Sequence, residues 1–432
     1  MNLTRFLFIG SGPASLYTVK RLLKNQNITV DMVEKGLLPG GLLRYGVAPD
    51  HPEVKEAIKL YDDMFENPSF SFYNNTDITP TLFIDNQIDL RYNCIVFGNG
   101  VEKAREVVYE GENEFKDYVV DAECLVNYYN ENYFTARTMT AKQLNNLQKA
   151  KKIVIIGNGN VSMDIARLLT KKKEKLEGLS IRPGFIDLRE NMMGLREIDV
   201  LARRGAVQSA FDLKELRELK DESELPVYVT KEDFEKSQDE NSLKLIDIKK
   251  DIRNRARGRK FKYLNSIQSN TIGEGVRLRY FLEPISIRQN DNGKVLVCAR
   301  MVYNKDRDSF VREEGKEEEI PFDFIIKSLG YTNTPNSLYN TIKQATKTDT
   351  THIHSIGWAS TGGKGKLADS YINCDQFLDS INSNSQINST LGLSVIVSNK
   401  PCNKRYLQFR QMELNKNREI KDLDTINSFL HR

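Results

Sequence analysis

The sequence predicts an α/β chain made of two strand–turn–helix units of the same design, one set inside the other. Three observations predict it. An apolar strand that runs into a glycine turn and then an amphipathic helix opens the chain. The same order returns near residue 152. After the second unit, strand-like runs resume with no further repeat and no low-complexity linker, which suits an inserted domain better than domains in a row.

The first unit is a strand over 5–9, a turn, a helix over about 14–25 and a strand over 28–33. The second is a strand over 152–156, a turn, and a helix over 161–169 with apolar residues at Val161, Ile165, Leu168 and Leu169; its partner strand is expected over 198–202. A tract rich in Lys, Glu and Asp follows, and 220–265 reads as an accessory surface of solvated helices and loops without a core of its own. Strands are expected again over 276–281, 295–302 and 322–326, the last running into Ser328-Leu329-Gly330-Tyr331, after which the chain is expected to rejoin the first domain.

At 432 residues the chain exceeds one ordinary core and suits two or three domains of roughly 100–200 residues each. It carries 63 Lys and Arg against 59 Asp and Glu, a net charge of +4, which argues against a general nucleic-acid binder yet leaves room for a local basic face. No stretch approaches the ~18 uninterrupted apolar residues of a membrane span. The five cysteines, Cys94, Cys124, Cys298, Cys374 and Cys402, show neither CxxC nor metal-ligand spacing. That argues against a disulfide framework, an iron–sulfur cluster or a thiol-redox active site, and for a reducing compartment; no metal site is expected. The first strand begins so early that no presequence is expected.

Gly10-Ser11-Gly12-Pro13-Ala14-Ser15 lies between strand and helix, where missing side chains let a pyrophosphate reach backbone N–H groups and the helix N-terminus. Glu34, at the end of the next strand, is placed to bind an adenosine ribose that lacks a 2′-phosphate, and both FAD and NAD satisfy that. Ser15 stands where Gly or Ala is usual, so its hydroxymethyl group is expected to shift the helix slightly. Gly157-Asn158-Gly159-Asn160-Val161-Ser162 repeats the cradle, but here the partner strand ends in Arg203-Arg204-Gly205. Two guanidinium groups suit a dianionic 2′-phosphate, so NADPH is expected over NADH.

Further motifs carry a resemblance. The run Gly41-Leu42-Leu43-Arg44-Tyr45-Gly46-Val47-Ala48-Pro49-Asp50-His51-Pro52-Glu53-Val54-Lys55, the second glycine turn, Arg203-Arg204-Gly205 followed by Lys214-Glu215-Leu216-Arg217-Glu218, and Gly357-Trp358 before Gly362 and Gly365 resemble the adrenodoxin reductase family, the mitochondrial-type NADPH:ferredoxin reductases. The resemblance covers most of the chain. It implies two Rossmann-like dinucleotide-binding domains: a discontinuous FAD domain over 1–102 and 327–432, and an NADPH domain over 103–326 inserted in it.

By that resemblance Gly10, Gly12, Ala14, Glu34, Leu42, Ile78, Trp358, Gly365, Lys366 and Leu367 meet FAD. Asn158, Gly159, Asn160, Val161, Arg203, Arg204, Glu215 and Gly365 meet NADPH. His51 and Asp164 fall near the flavin, either moving protons or forming a structural pair. Gly363 stands where the family commonly has proline and is expected to loosen the turn beside the flavin.

The implied reaction is hydride transfer from NADPH to FAD, then release of single electrons to an acidic [2Fe–2S] ferredoxin of the adrenodoxin kind. The basic run from Lys249 to Lys262 is the expected docking face. A monomer on the matrix side of mitochondria is implied, with peripheral membrane association allowed and a cytoplasmic enzyme as the alternative. A flavin-dependent NADPH monooxygenase or oxidase, and a catalytically silent flavin or nucleotide sensor, remain the competing readings.

Overall fold

The computed structural model describes residues 3–101, 103–132, 135, 137–247, 251, 254–332, 337–346, 352–365, 367–381 and 400–415. The chain forms two compact units, Met1–Arg105 with Asn130–Ala136 and Gly330–Arg432, and Glu106–Tyr129 with Arg137–Leu329. The divisions thus fall at 105/106 and 329/330, where the sequence suggested 102/103 and 326/327, and a short segment around Asn130 returns to the first unit.

The first unit is built on a parallel five-stranded sheet in the order His352–Ser355, Cys94–Phe97, Thr4–Ile9, Ile28–Val33, Phe70–Tyr73. Successive side chains of a strand face opposite ways, so Phe6 and Phe8 feed one core while Leu7 and Ile9 feed the other. A strand buried on both faces reads as a continuous apolar run, as this one does. Helix Pro13–Leu22 covers one face with Leu16, Val19 and Leu22, joined there by Tyr406 and Phe409 of helix Asn403–Asn415. Phe83 and Ile342 cover the other.

The second unit carries a parallel seven-stranded sheet in the order Gln268–Ser269, Val227–Thr230, Gly275–Arg279, Glu197–Leu201, Lys152–Ile156, Phe324–Lys327, Val119–Asp121. A three-stranded antiparallel sheet, Leu282–Asn290, Gly293–Asn304 and Ser309–Pro321, stands beside it.

The expectation of a coreless accessory surface over 220–265 is overturned. Val227, Tyr228 and Val229 are buried in the parallel sheet, and Phe234 and Leu264 are buried against it. A four-residue strand between polar helices vanishes in composition averaged over some fifty residues, although its Val-Tyr-Val run is what a buried parallel strand requires.

Candidate functional site

In a parallel sheet the loops that leave the C-terminal ends of the strands gather at one edge, where ligands bind. In the first unit these loops are the turns after Ile9, Val33, Phe97 and Ser355. They approach so closely that side chains are excluded. A Cβ on Gly10, whose φ is +96°, would lie 2.5 Å from the Asn99 Cα, and one on Gly357 would lie 2.6 Å from the Ala14 Cβ. Gly41 is held the same way against the Gly12 Cα at 3.2 Å. Helix Pro13–Leu22 begins here with no side-chain cap at Gly12, so its first N–H groups are left for an anion. This cradle fits a pyrophosphate.

Gly98 accommodates Ser15. Ser15 is fully buried, and its Oγ lies 1.9 Å from where a Cβ on Gly98 would be; the missing side chain of Gly98 is what makes room. That hydroxyl has no hydrogen-bond partner among the described residues. Glu34 is tied to the turn itself: Oε2 accepts from the Ser11 N–H at 2.9 Å and the Ser11 hydroxyl at 2.5 Å, and Oε1 accepts from the Gly36 N–H at 2.8 Å.

Trp358 is half-buried, its Nε1 donates to the Gly365 carbonyl at 3.0 Å, and its ring lies 5.7 Å from that of Tyr331. Gly363 takes a backbone conformation that proline could not. Its φ of +74° is closed to proline, and a Cβ there would lie 2.9 Å from the Tyr331 Cβ, so glycine is what lets the turn pack. Leu42 is exposed and Leu367 half-buried near the same loops, whereas the Ile78 side chain belongs to the core beneath the sheet and offers a ligand only its backbone. Lys366 lies outside the described residues.

The signature run around Arg44 is pinned from within the unit. Lys55 Nζ donates to the Asn130 Oδ1 at 2.8 Å and to the Arg44 carbonyl at 3.2 Å, while Asn130 Nδ2 donates to the carbonyls of Tyr45 and Val47. His51 is 9% exposed, with Nδ1 3.5 Å from the Glu53 Oε1. Asn130, fully buried, went unnoticed in the sequence because nothing marks an asparagine so far from its partners.

The second unit repeats the cradle. Gly157 has φ +108°, and a Cβ there would meet the Ser328 carbonyl oxygen at 2.2 Å; Gly159 precedes helix Asn160–Thr170 and gives it no side-chain cap. Asn160 exchanges two hydrogen bonds with Asp212, at 2.7 and 3.0 Å, which fixes the turn, and Val161 is exposed beside it. Arg203 and Arg204 are both exposed at the end of strand Glu197–Leu201, and Arg203 Nη1 lies 3.3 Å from the Glu283 Oε1.

Glu215 and Asp164 converge on Arg167, which is 1% exposed, at 3.2 and 2.8 Å. Arg167 and Glu283 were missed in the sequence, since Glu215, which meets Arg167, and Arg203, which meets Glu283, lie 48 and 80 residues away. Of the residues assigned to NADPH, Gly365 alone sits in the first unit.

Residues 4–223, about half the chain, match the pyridine nucleotide-disulphide oxidoreductase family. The chain belongs to that family. The probable NADPH:adrenodoxin oxidoreductase of Schizosaccharomyces pombe is 35% identical over 212 residues, covering 49% of this chain and 43% of that protein. The chain thus spans less than half the length of that relative. NADPH-ferredoxin reductase FprA of Mycobacterium tuberculosis is 28% identical over 340 residues, covering 76% of this chain and 70% of that protein. The human NADPH:adrenodoxin oxidoreductase is 28% identical over 386 residues, covering 83% and 74%.

The solved structure of Mycobacterium tuberculosis FprA in complex with NADPH superposes with a TM-score of 0.76 at 21% identity over the whole of both chains, a likeness of fold. All five cysteines are free and four are buried. Burial pushes Cys124, Cys374 and Cys402 up to about 11, Cys298 to about 12 and Cys94 higher still, far from the thiolate that disulfide exchange requires.

Proposed function

We propose that this chain is an NADPH:ferredoxin oxidoreductase, with FAD in the first unit, NADPH in the second, and an acidic [2Fe–2S] ferredoxin as electron acceptor. One observation carries the reading. Two glycine cradles of the same build end in opposite charge, Glu34 after strand Ile28–Val33 and Arg203-Arg204 after strand Glu197–Leu201, so the two units read different riboses.

FAD supplies the redox chemistry when bound, since it exchanges hydride with a nicotinamide and electrons singly with a metal cluster. The chain's own residues do the rest. The N–H groups of the first turn hold the FAD pyrophosphate, and Glu34 fixes that turn through Ser11. Arg203 and Arg204 take the NADPH 2′-phosphate. Trp358, tied to Gly365, closes the flavin side of the first unit. His51, nearly buried beside Glu53, is the group suited to hold and pass a proton, whereas Asp164 is engaged in positioning Arg167.

Helix Asn254–Ser266 presents Arg255, Arg257, Arg259 and Lys262 to solvent as the docking face. Lys260 has no part in it, because it is buried with Nζ donating to the Ser209 and Phe211 carbonyls. Lys249, Lys250 and Arg253 of the same run lie outside the described residues. A matrix-side mitochondrial location is part of the proposal, drawn from relatives named as mitochondrial in human and fission yeast. The mycobacterial relatives favour a cytoplasmic alternative.

Anaerobic stopped-flow absorbance tests the reading. The yellow protein is mixed with NADPH or NADH, then with a [2Fe–2S] ferredoxin and cytochrome c. Rapid bleaching by NADPH, followed by cytochrome c reduction that depends on ferredoxin and falls with salt, is the expected result. Reduction without ferredoxin dependence would replace it with a monooxygenase or oxidase, and absent flavin or unreduced flavin with a nucleotide sensor.

A further inference from the structure

The turn Arg203-Arg204-Gly205 rests on an aromatic residue in a costly conformation. Phe281 has φ +60°, a backbone that a bulky side chain keeps only where its surroundings hold it. Here they do. The residue is 5% exposed, a Cβ on Gly205 would come within 2.9 Å of its ring, and Phe310 meets that ring at 5.9 Å. Its carbonyl accepts from the Met301 N–H at 2.9 Å. The next residue, Leu282, donates its N–H to the Ala202 carbonyl at 3.0 Å. The bend therefore feeds strand Leu282–Asn290 past the end of strand Glu197–Leu201 and sets Glu283 beside the arginine turn.

Glu283 is a carboxylate placed where an anion is to bind. One of its oxygens lies 3.3 Å from Arg203 Nη1, and the other accepts from Arg312 Nε at 2.6 Å. Arg312 comes from strand Ser309–Pro321 of the same antiparallel sheet. Without Arg312, the Glu283 charge would be spent on Arg203 and would repel a phosphate. With it, three guanidinium groups against one carboxylate leave two positive charges, which matches a phosphate carrying roughly −2.

We propose that Arg312, acting through Glu283, is a specificity-determining positioning residue for the phosphorylated cofactor: it takes one of the two Glu283 oxygens and so leaves net positive charge on the arginine turn for the 2′-phosphate of NADPH. This rests on the reading of Arg203 and Arg204 as the 2′-phosphate receptor. The strained Phe281 is then the structural reason that an acid stands at this site at all. An exposed ion pair contributes little to stability, so selectivity is where this pair has its effect.

The test compares kcat/KM for NADPH and NADH, and calorimetric affinity for 2′,5′-ADP, in the full chain and in R312Q, E283Q, R312Q/E283Q and R203A/R204A. R288Q serves as control, since it breaks a similar exposed pair, with Glu319, on the same sheet. R312Q is expected to lower NADPH kcat/KM about tenfold through KM, to weaken 2′,5′-ADP similarly, and to leave NADH within about twofold. E283Q tightens 2′,5′-ADP severalfold, the double variant returns near the starting value, and R288Q changes nothing.

If R203A/R204A abolishes discrimination while R312Q shifts NADPH and NADH alike or not at all, the role of Arg312 is refuted and the receptor reading stands. Discrimination that survives R203A/R204A overturns both.

Discussion

A single serine and a single glycine decide the fit of the first cradle. Ser15 lies where Gly98 has no side chain, and neither position has meaning without the other. Ser15→Ala removes a buried hydroxyl that lacks a partner among the described residues, so a gain of about 1 kcal/mol with flavin retained is expected in urea unfolding. Gly10→Ala must place a Cβ 2.5 Å from the Asn99 Cα at a φ of +96°. It should lower stability by roughly 1–3 kcal/mol and yield protein with little bound flavin, read from the visible spectrum and a thermal melt. The glycines of both turns were legible in the sequence because a strand, a tight turn and a helix in succession leave a local pattern. Gly98, Asn130 and Arg167 were not, since each acts on residues remote in the chain.

Helix Asn403–Asn415 shows how an element can hide its role. Arg410 and Glu413 lie in a helix rich in polar residues, yet they are 4% and 3% exposed. Glu413 meets Arg44 at 3.0 Å and also pairs with Arg410, which in turn meets Asp62 at 3.2 Å. Glu413 thus bridges two buried guanidinium groups, of which Arg410 also holds Asp62. Breaking such a group from one side costs about 3–5 kcal/mol, because buried positive charge is left undercompensated. Glu413→Gln should fall in this range by urea unfolding. A loss under 1 kcal/mol would mean that water reaches these groups. Strand Val227–Thr230 is the counterpart error, an element hidden by polar neighbours and recovered only through its pairing with Gly275–Arg279.

For the whole molecule, the proposed docking rests on surface charge and the proposed chemistry does without thiols. Arg255→Glu with Arg259→Glu should raise the ferredoxin KM about tenfold at low salt and flatten its dependence on ionic strength, since opposed charges speed encounter and are screened by salt. Steady-state cytochrome c reduction at several salt concentrations checks this, and an unchanged salt slope would move the docking face elsewhere. Blocking accessible thiols with iodoacetamide near pH 8 should leave reduction by NADPH intact, because cysteines with raised pKa values are poor nucleophiles. Loss of activity on alkylation would bring disulfide chemistry back.

By itself the sequence determined what local chemistry can encode: two glycine turns between strand and helix, an acid after one and paired arginines after the other, and cysteines without redox spacing. Those features are short-range, so they survive in a linear reading. Tertiary structure alone decided what depends on distance in space. It placed Gly98 opposite Ser15, assigned Gly363 a φ closed to proline, turned Lys260 inward, and brought Glu283 and Arg312 to the arginine turn. The physical reason is the same in each case: close packing and charge pairing act between atoms a few ångströms apart, whatever their separation along the chain.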